Sequence, residues 1–212
     1  LWETMTHFGL GELTSSGFPG ESAGMLTHYS NWRPISQATL AYGYGISVTP
    51  LQLAQAYAAI GNGGQLRPVS LVALDAPADS ARVLSEETAT SVRRMLEEVV
   101  RPGGTGTKAA IDGYRIAGKT GTAWKFATGG YSQDKYISIF AGLAPASDPQ
   151  LATVVVIDEP GGELYYGSDV AAPVFADVMS ESLRLLAVPP DALPARDPSN
   201  AMQAMATRPE TQ

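Results

Sequence analysis

The chain has 212 residues, 44% of them hydrophobic, no cysteine and a formal net charge of −7 at neutral pH. That is enough apolar material for one well-buried domain or most of a larger one. The absence of cysteine excludes disulfides and thiolate chemistry, and the acidic balance argues against a nucleic-acid partner.

The first residues, from Leu1, read as the middle of an amphipathic helix without a cap, so further chain is expected upstream. No apolar run approaches the ~20 residues needed to cross a bilayer, and no signal-peptide pattern is present, so any anchor or export signal is expected upstream as well. The two histidines, His7 and His28, lack ligand spacing, and no metal or other cofactor is expected. Residues 9–26 carry five glycines and a Phe18-Pro19-Gly20 turn, which predicts a long irregular connection.

Thr49-Pro50 marks a helix start, because threonine caps well and proline suits the first helical position. Leu51, Leu53, Ala54, Tyr57 and Ala58 follow on one face, and Gly61-Asn62-Gly63-Gly64 ends the element. A second helix opens at Ser85 with Glu86 and Glu87 at the positive end of its dipole. It carries Val92, Met95, Leu96, Val99 and Val100 at helical spacing and stops at Pro102-Gly103-Gly104.

Segments 114–122, 136–143 and 151–157 read as three strands in succession, an antiparallel meander, the last a continuous run of β-branched residues. From about Ala171 to Leu186 helical spacing returns in Val174, Phe175, Val178, Met179, Leu183 and Leu186, predicting a helix packed on that sheet. Residues 1–188 are expected to form the folded domain. The Pro-rich stretch 189–212 is expected to be a disordered tail.

Charge is uneven. Between residues 93 and 135 eight basic side chains (Arg93, Arg94, Arg101, Lys108, Arg115, Lys119, Lys125, Lys135) face four acids, a surplus of four that leaves −11 for the rest. Such a stretch is either ordinary surface variation or a local field for an anionic ligand.

Within it lies Lys119-Thr120-Gly121-Thr122, at the end of the first predicted strand. An ammonium at a strand edge can hold a carboxylate as a point charge, and adjacent hydroxyls can share the anion. Gly121 lets an acyl group lie close to the strand, and the next N–H can meet a developing oxyanion. Taken alone, four such residues are weak evidence.

The surroundings strengthen it. Ala41-Tyr-Gly-Tyr-Gly-Ile-Ser-Val-Thr-Pro-Leu-Gln-Leu-Ala54, the stretch from Gly113 to Ala123, Phe140 to Pro149 and Ala171-Ala-Pro-Val-Phe175 resemble, in order, landmarks of the penicillin-binding transpeptidases. Lys-Thr-Gly is one of that family's three active-site motifs. The likeness is greatest to the class B, division-specific enzymes of Gram-negative bacteria, and this chain resembles the C-terminal portion of such a protein.

The resemblance implies an α+β fold of the penicillin-binding and serine β-lactamase type, present in part: an antiparallel sheet with helices on both faces. It also implies peptidoglycan cross-linking by serine D,D-transpeptidation of stem peptides ending in D-alanyl-D-alanine, with β-lactams as covalent mimics. Lys119, Thr120 and Thr122 would bind the terminal carboxylate, Gly121 would leave room for the acyl group, and the Thr122 N–H would supply half of the oxyanion hole. Tyr136, Tyr165 and Tyr166 match positions of an aromatic wall, although plain strand-end packing explains them equally well. The implied setting is the periplasmic face of the inner membrane, among division-complex proteins.

The family's other two motifs, Ser-x-x-Lys and Ser-x-Asn, do not occur before Lys119. The one Ser-x-x-Lys, Ser132-Gln-Asp-Lys135, follows the Lys-Thr-Gly motif in what reads as a glycine-rich loop, and it is rejected as the nucleophile. The chain is therefore expected to be inactive by itself, with the serine supplied upstream. Two rival readings remain: a β-lactam hydrolase of the same fold, and a non-catalytic module that binds peptidoglycan or a division partner.

Overall fold

The computed structural model describes residues 1–76, 78–127 and 130–192. In chain order its elements are α1 (Trp2–His7), β1 (Met25–Leu26), α2 (Pro34–Leu40), β2 (Ile46–Ser47), α3 (Pro50–Gly61), β3 (Gln65–Leu66), β4 (Ala81–Arg82) and α4 (Glu86–Glu98). They continue through β5 (Ala117–Ala127), β6 (Gly130–Ala144), β7 (Leu151–Asp158), α5 (Gly167–Val170) and α6 (Ala172–Leu185). Single 3₁₀ turns occur at Tyr29–Asn31 and Thr107–Ala109.

Strands β5, β6 and β7 form an antiparallel sheet in that order, with Gly118 opposite Gly142, Thr120 opposite Phe140 and Thr122 opposite Ser138. The expected meander is thus present, with longer strands than the sequence suggests. Ser132 to Lys135 lie within β6 rather than in a loop. The Ser132 hydroxyl lies 2.5 Å from Asp134 Oδ1, and Lys135 Nζ pairs with Glu159 at 3.0 Å. The Lys135 N–H also donates to the Ser132 hydroxyl at 3.2 Å, but the lysine's ammonium is turned to Glu159.

Period-2 alternation gives the sheet two buried faces. On one face Phe140 packs against Phe175 of α6, ring centroids 4.7 Å apart, with Met179 and Leu183 alongside. The Gly118–Gly142 pair makes room for these rings. A Cβ on Gly118 would stand 2.6 Å from Phe140 Cζ, and one on Gly142 would stand 2.8 Å from Phe175 Cζ. On the other face Ala117, Leu143 and Ala146 pack with Tyr57 and Ile60 of α3 and Leu96 of α4. Helices therefore cover both faces, as expected.

Helix α3 starts where the sequence predicts and carries a full capping box: Thr49 Oγ1 accepts from the Gln52 N–H, and Gln52 Oε1 accepts from the Thr49 N–H. The same buried Gln52 donates from Nε2 to the carbonyls of Glu12 and Ala23, at 2.7 and 2.9 Å. One side chain thereby fastens the long 9–26 connection to the helical layer. All five glycines of that connection have positive φ, and it stays irregular until the two-residue strand β1 at its end.

Helix α4 opens at Ser85, whose hydroxyl accepts from the Thr88 N–H. Its Glu97, 5% exposed, holds Arg115 through three hydrogen bonds of 2.8–3.0 Å and so ties α4 to the approach to β5. Past α6, Asp191 accepts from the Arg115 and Ser147 N–H groups, and the Ala192 N–H reaches the Gly113 carbonyl. The rest of the stretch expected as a tail, 193–212, lies outside the described residues.

Candidate active site

The sheet order leaves β5 at an edge, so half of its main-chain groups face away from β6. The Trp124 N–H donates to the Tyr44 hydroxyl at 3.3 Å, across that edge. In an antiparallel pair this orientation recurs every second residue, so the N–H and C=O of Thr120 and Thr122 also point outward. The Thr120 carbonyl does so visibly, accepting from Lys119 Nζ at 3.0 Å.

Lys119 is exposed and lies on the α3/α4 face of the strand, the side on which Ala117 is buried. Its Nζ also lies 3.2 Å from Thr120 Oγ1, which in turn meets Thr105 Oγ1 at 3.1 Å. Thr105 was not singled out in the sequence. It arrives here because the chain leaving α4 doubles back, with Gly106 pressed against Phe140: a Cβ there would stand 2.9 Å from the ring. The Pro102-Gly103-Gly104-Thr105-Gly106 run was the available signal.

Thr122 Oγ1 accepts from the Gly167 N–H at 2.9 Å, leaving its own proton free to donate. Gly167 is close to the strand as only glycine can be: a Cβ would lie 2.5 Å from the carbonyl oxygens of Gly121 and Ile139. This contact fixes Tyr165 and Tyr166 beside Thr122, helped by the bond from the Ser138 hydroxyl to the Tyr165 carbonyl. Tyr136 stacks on Tyr165 at 4.0 Å and 15°, and the Tyr165 and Tyr166 hydroxyls lie 3.2 Å apart. The hydrogen bond to Tyr166, with the neighbouring phenols, pushes the Tyr165 phenol up to about 12, so Tyr165 is neutral at physiological pH.

All seven residues singled out in the sequence thus gather along one end of β5 and the turn that docks on it. The basic surplus is mostly neutralised nearby: Lys108 pairs with Asp169, Arg115 with Glu97, Arg101 with Glu98, Lys125 with Asp158 and Glu159, and Lys135 with Glu159. Among the described residues Arg93, Arg94 and Lys119 have no carboxylate partner; the two arginines lie on α4, so on β5 the unpaired charge is the Lys119 ammonium beside three threonine hydroxyls. Chemically, that edge can bind a carboxylate and polarise a carbonyl next to it. Among the described residues no group of three or more His, Asp or Glu side chains converges as a metal site would require.

The family model described as penicillin binding protein transpeptidase domain matches residues 1–180. The chain is 48% identical over 197 residues to the peptidoglycan D,D-transpeptidase FtsI of Escherichia coli (strain K12), covering 93% of this chain and 34% of that protein. It is 43% identical over 190 residues to the probable peptidoglycan D,D-transpeptidase PenA of Neisseria gonorrhoeae, covering 90% of this chain and 33% of that protein. The chain therefore spans about a third of the length of the curated relatives it matches. Among solved structures, the apo TP domain of Burkholderia pseudomallei penicillin-binding protein 3 superposes with a TM-score of 0.84 at 46% identity, covering 91% of this chain and 59% of that one. The partial penicillin-binding fold and the class B likeness expected from the sequence are borne out, and the chain belongs to the penicillin-binding protein transpeptidase domain family.

Proposed function

We propose that this chain supplies the substrate-binding edge of a serine D,D-transpeptidase that cross-links peptidoglycan stem peptides. The observation that carries the reading is the convergence on one free sheet edge of the Lys119 ammonium, the hydroxyls of Thr105, Thr120 and Thr122, and the outward Thr122 N–H. The terminal carboxylate of a D-alanyl-D-alanine stem pairs with Lys119 and the threonine hydroxyls. The preceding carbonyl then lies at the Thr122 N–H, which stabilises its oxygen as negative charge develops. Gly121, without a side chain, leaves that approach open.

The reaction proceeds in two halves. A serine hydroxyl attacks the penultimate carbonyl, the peptide bond breaks, and D-alanine leaves with the proton lost by the serine. The amine of a second stem then attacks the acyl ester, restoring the serine and forming the cross-link. Among the described residues no serine stands in a nucleophile's position at that edge, and the reading assigns this chain recognition and polarisation. The bond-making hydroxyl comes from residues other than these 212. β-Lactams, which pair a carboxylate with a strained amide, fit the same edge. The work belongs at the periplasmic face of the inner membrane with division partners; among the described residues no helix is long and apolar enough to cross a membrane.

The test is mass analysis of products from the protein that carries this chain, given a stem pentapeptide donor and an amine acceptor. Free D-alanine and a cross-linked dimer are expected, and Lys119→Ala should lower kcat/KM by about a hundredfold, the loss of a charge-assisted anchor. Hydrolysis without cross-link would favour a hydrolase. Unchanged turnover in Lys119→Ala would overturn the anchor assignment.

A further inference from the structure

Beyond Thr122 the free edge of β5 runs into an open trough of about 660 Å³ lined by Thr39, Tyr42, Tyr44, Trp124, Tyr131 and Ser132. Two tyrosine hydroxyls strap the Tyr42–Gly45 turn to the β5–β6 pair: Tyr44 accepts from the Trp124 N–H at 3.3 Å, and Tyr131 accepts from the Gly45 N–H at 3.2 Å. Tyr44 meets Tyr131 edge-on at 5.0 Å and Trp124 at a tilt at 6.4 Å, so the rings line the trough at angles to one another instead of stacking face to face. Tyr42, Trp124 and Tyr131 are 68%, 47% and 45% exposed, far more than aromatic side chains that serve only as core.

The lining defines the ligand class. It combines aromatic rings with hydroxyls and has no ionised side chain of its own; the nearby cations Lys125 and Lys135 are held by Asp158 and Glu159, and the one carboxylate at its margin, Asp134, takes the Ser132 hydroxyl. Aromatic planes with neutral hydrogen-bonding groups at their margins suit a ligand with apolar C–H faces and hydroxyl or amide edges. A hexopyranose has that character. A charged peptide or an anionic lipid does not.

Position then selects the sugar. If the carboxylate sits at Lys119–Thr120 and the scissile carbonyl at the Thr122 N–H, the acyl part of the stem continues toward Trp124. A stem of about five residues, extended at ~3.3 Å each, reaches roughly 16 Å, the distance covered by four to five residues of β5 beyond Thr120. Its far end falls at the trough. In peptidoglycan that end is amide-linked to an N-acetylated amino sugar, which the linkage leaves uncharged.

We infer that the Tyr42–Tyr44–Trp124–Tyr131 trough is a subsite for the glycan of the donor strand, stacking the N-acetylated amino-sugar rings to which the stem peptide is attached. The inference rests on the proposed function for its direction along β5.

The test compares affinities of the protein carrying this chain for the pentapeptide, the disaccharide-pentapeptide and the disaccharide alone, measured by titration and by saturation transfer to the sugar ring protons. The disaccharide should improve pentapeptide affinity about tenfold, the order expected of ring stacking. Tyr42→Ala, an exposed change that breaks no hydrogen bond, should remove most of that gain while leaving pentapeptide affinity within about twofold, and Trp124→Ala should also remove most of the gain. Sugar-proton saturation should disappear with it. A gain below twofold, or one that survives both variants, overturns the subsite, as does displacement of the sugar from the trough by an apolar peptide at lower concentration. Pentapeptide binding indifferent to Lys119→Ala would instead sink the carboxylate-anchor reading, whereas sugar saturation lost in Tyr42→Ala would still support the trough.

Discussion

Replacing Arg115 with methionine isolates the contact that sets where β5 begins. Glu97 is 5% exposed and both of its carboxylate oxygens are taken by Arg115, through Nε to Oε2 at 3.0 Å and Nη2 to both oxygens at 2.8–2.9 Å. Removing the guanidinium strands a buried carboxylate, which costs roughly 3–5 kcal/mol when no water replaces the partner. The Arg115 side chain is itself 44% exposed, so water can enter from its side and the lower figure, about 3 kcal/mol, applies. For a chain of this size that lowers the thermal midpoint by roughly 6–12 °C. Glu97→Leu should cost less, about 1 kcal/mol, because the freed guanidinium can turn into solvent. The double variant Glu97→Leu/Arg115→Met should lie within about 1 kcal/mol of the parent, since an apolar pair of similar size often replaces a buried ion pair without loss. Denaturant unfolding of the four proteins gives the cycle. Equal losses in the two single variants, or a double variant as unstable as their sum, would refute the reasoning.

Gln52→Leu keeps the side-chain volume but removes the capping-box acceptor and both donors to Glu12 and Ala23. A loss of about 2–4 kcal/mol is expected, with hydrogen exchange at residues 12–24 accelerating more than at the sheet. Burial pushes the Tyr57 phenol up to about 12, whereas the unfolded chain ionises near 10. Its stabilising contribution is therefore complete below pH 10 and lost as pH rises to 12, about 3 kcal/mol over that window. Between pH 10 and 12 the parent should therefore lose about 3 kcal/mol relative to Tyr57→Phe, whose curve stays flatter; parallel curves would refute the burial argument.

The helices α3 and α4 were legible because Thr49-Pro50 and Ser85-Glu86 use the local chemistry of helix starts, and the sheet because its strands are apolar enough to be buried on both faces. The Lys119–Thr122 motif and the three tyrosines were legible as a pattern. Their arrangement was not, since it depends on the Gly167 N–H meeting Thr122 Oγ1, a contact made across 45 residues, with Gly167 lying against Gly121 and Ile139. Thr105 escaped notice for the same reason: a threonine between glycines reads as a turn, and only packing against Phe140 brings it to Thr120. The aromatic trough is assembled from residues 39–45 and 124–132, two stretches whose tyrosines carry no spacing signal that links them. The neutralisation of Lys108, Lys125 and Lys135 was likewise invisible, because the acids that pair with them, Asp158, Glu159 and Asp169, lie outside the stretch that holds these cations.

The most direct measurement of the central claim is the affinity of the protein carrying this chain for two ligands that differ in one group: an acyl-D-alanyl-D-alanine peptide with a free carboxylate, and the same peptide as its C-terminal amide. Lys119 and its threonines predict that the carboxylate form binds at least tenfold more tightly, and that Lys119→Ala erases the difference. Equal affinity of the two forms, or a preference that persists without Lys119, would contradict the assignment of β5 as a carboxylate-binding edge.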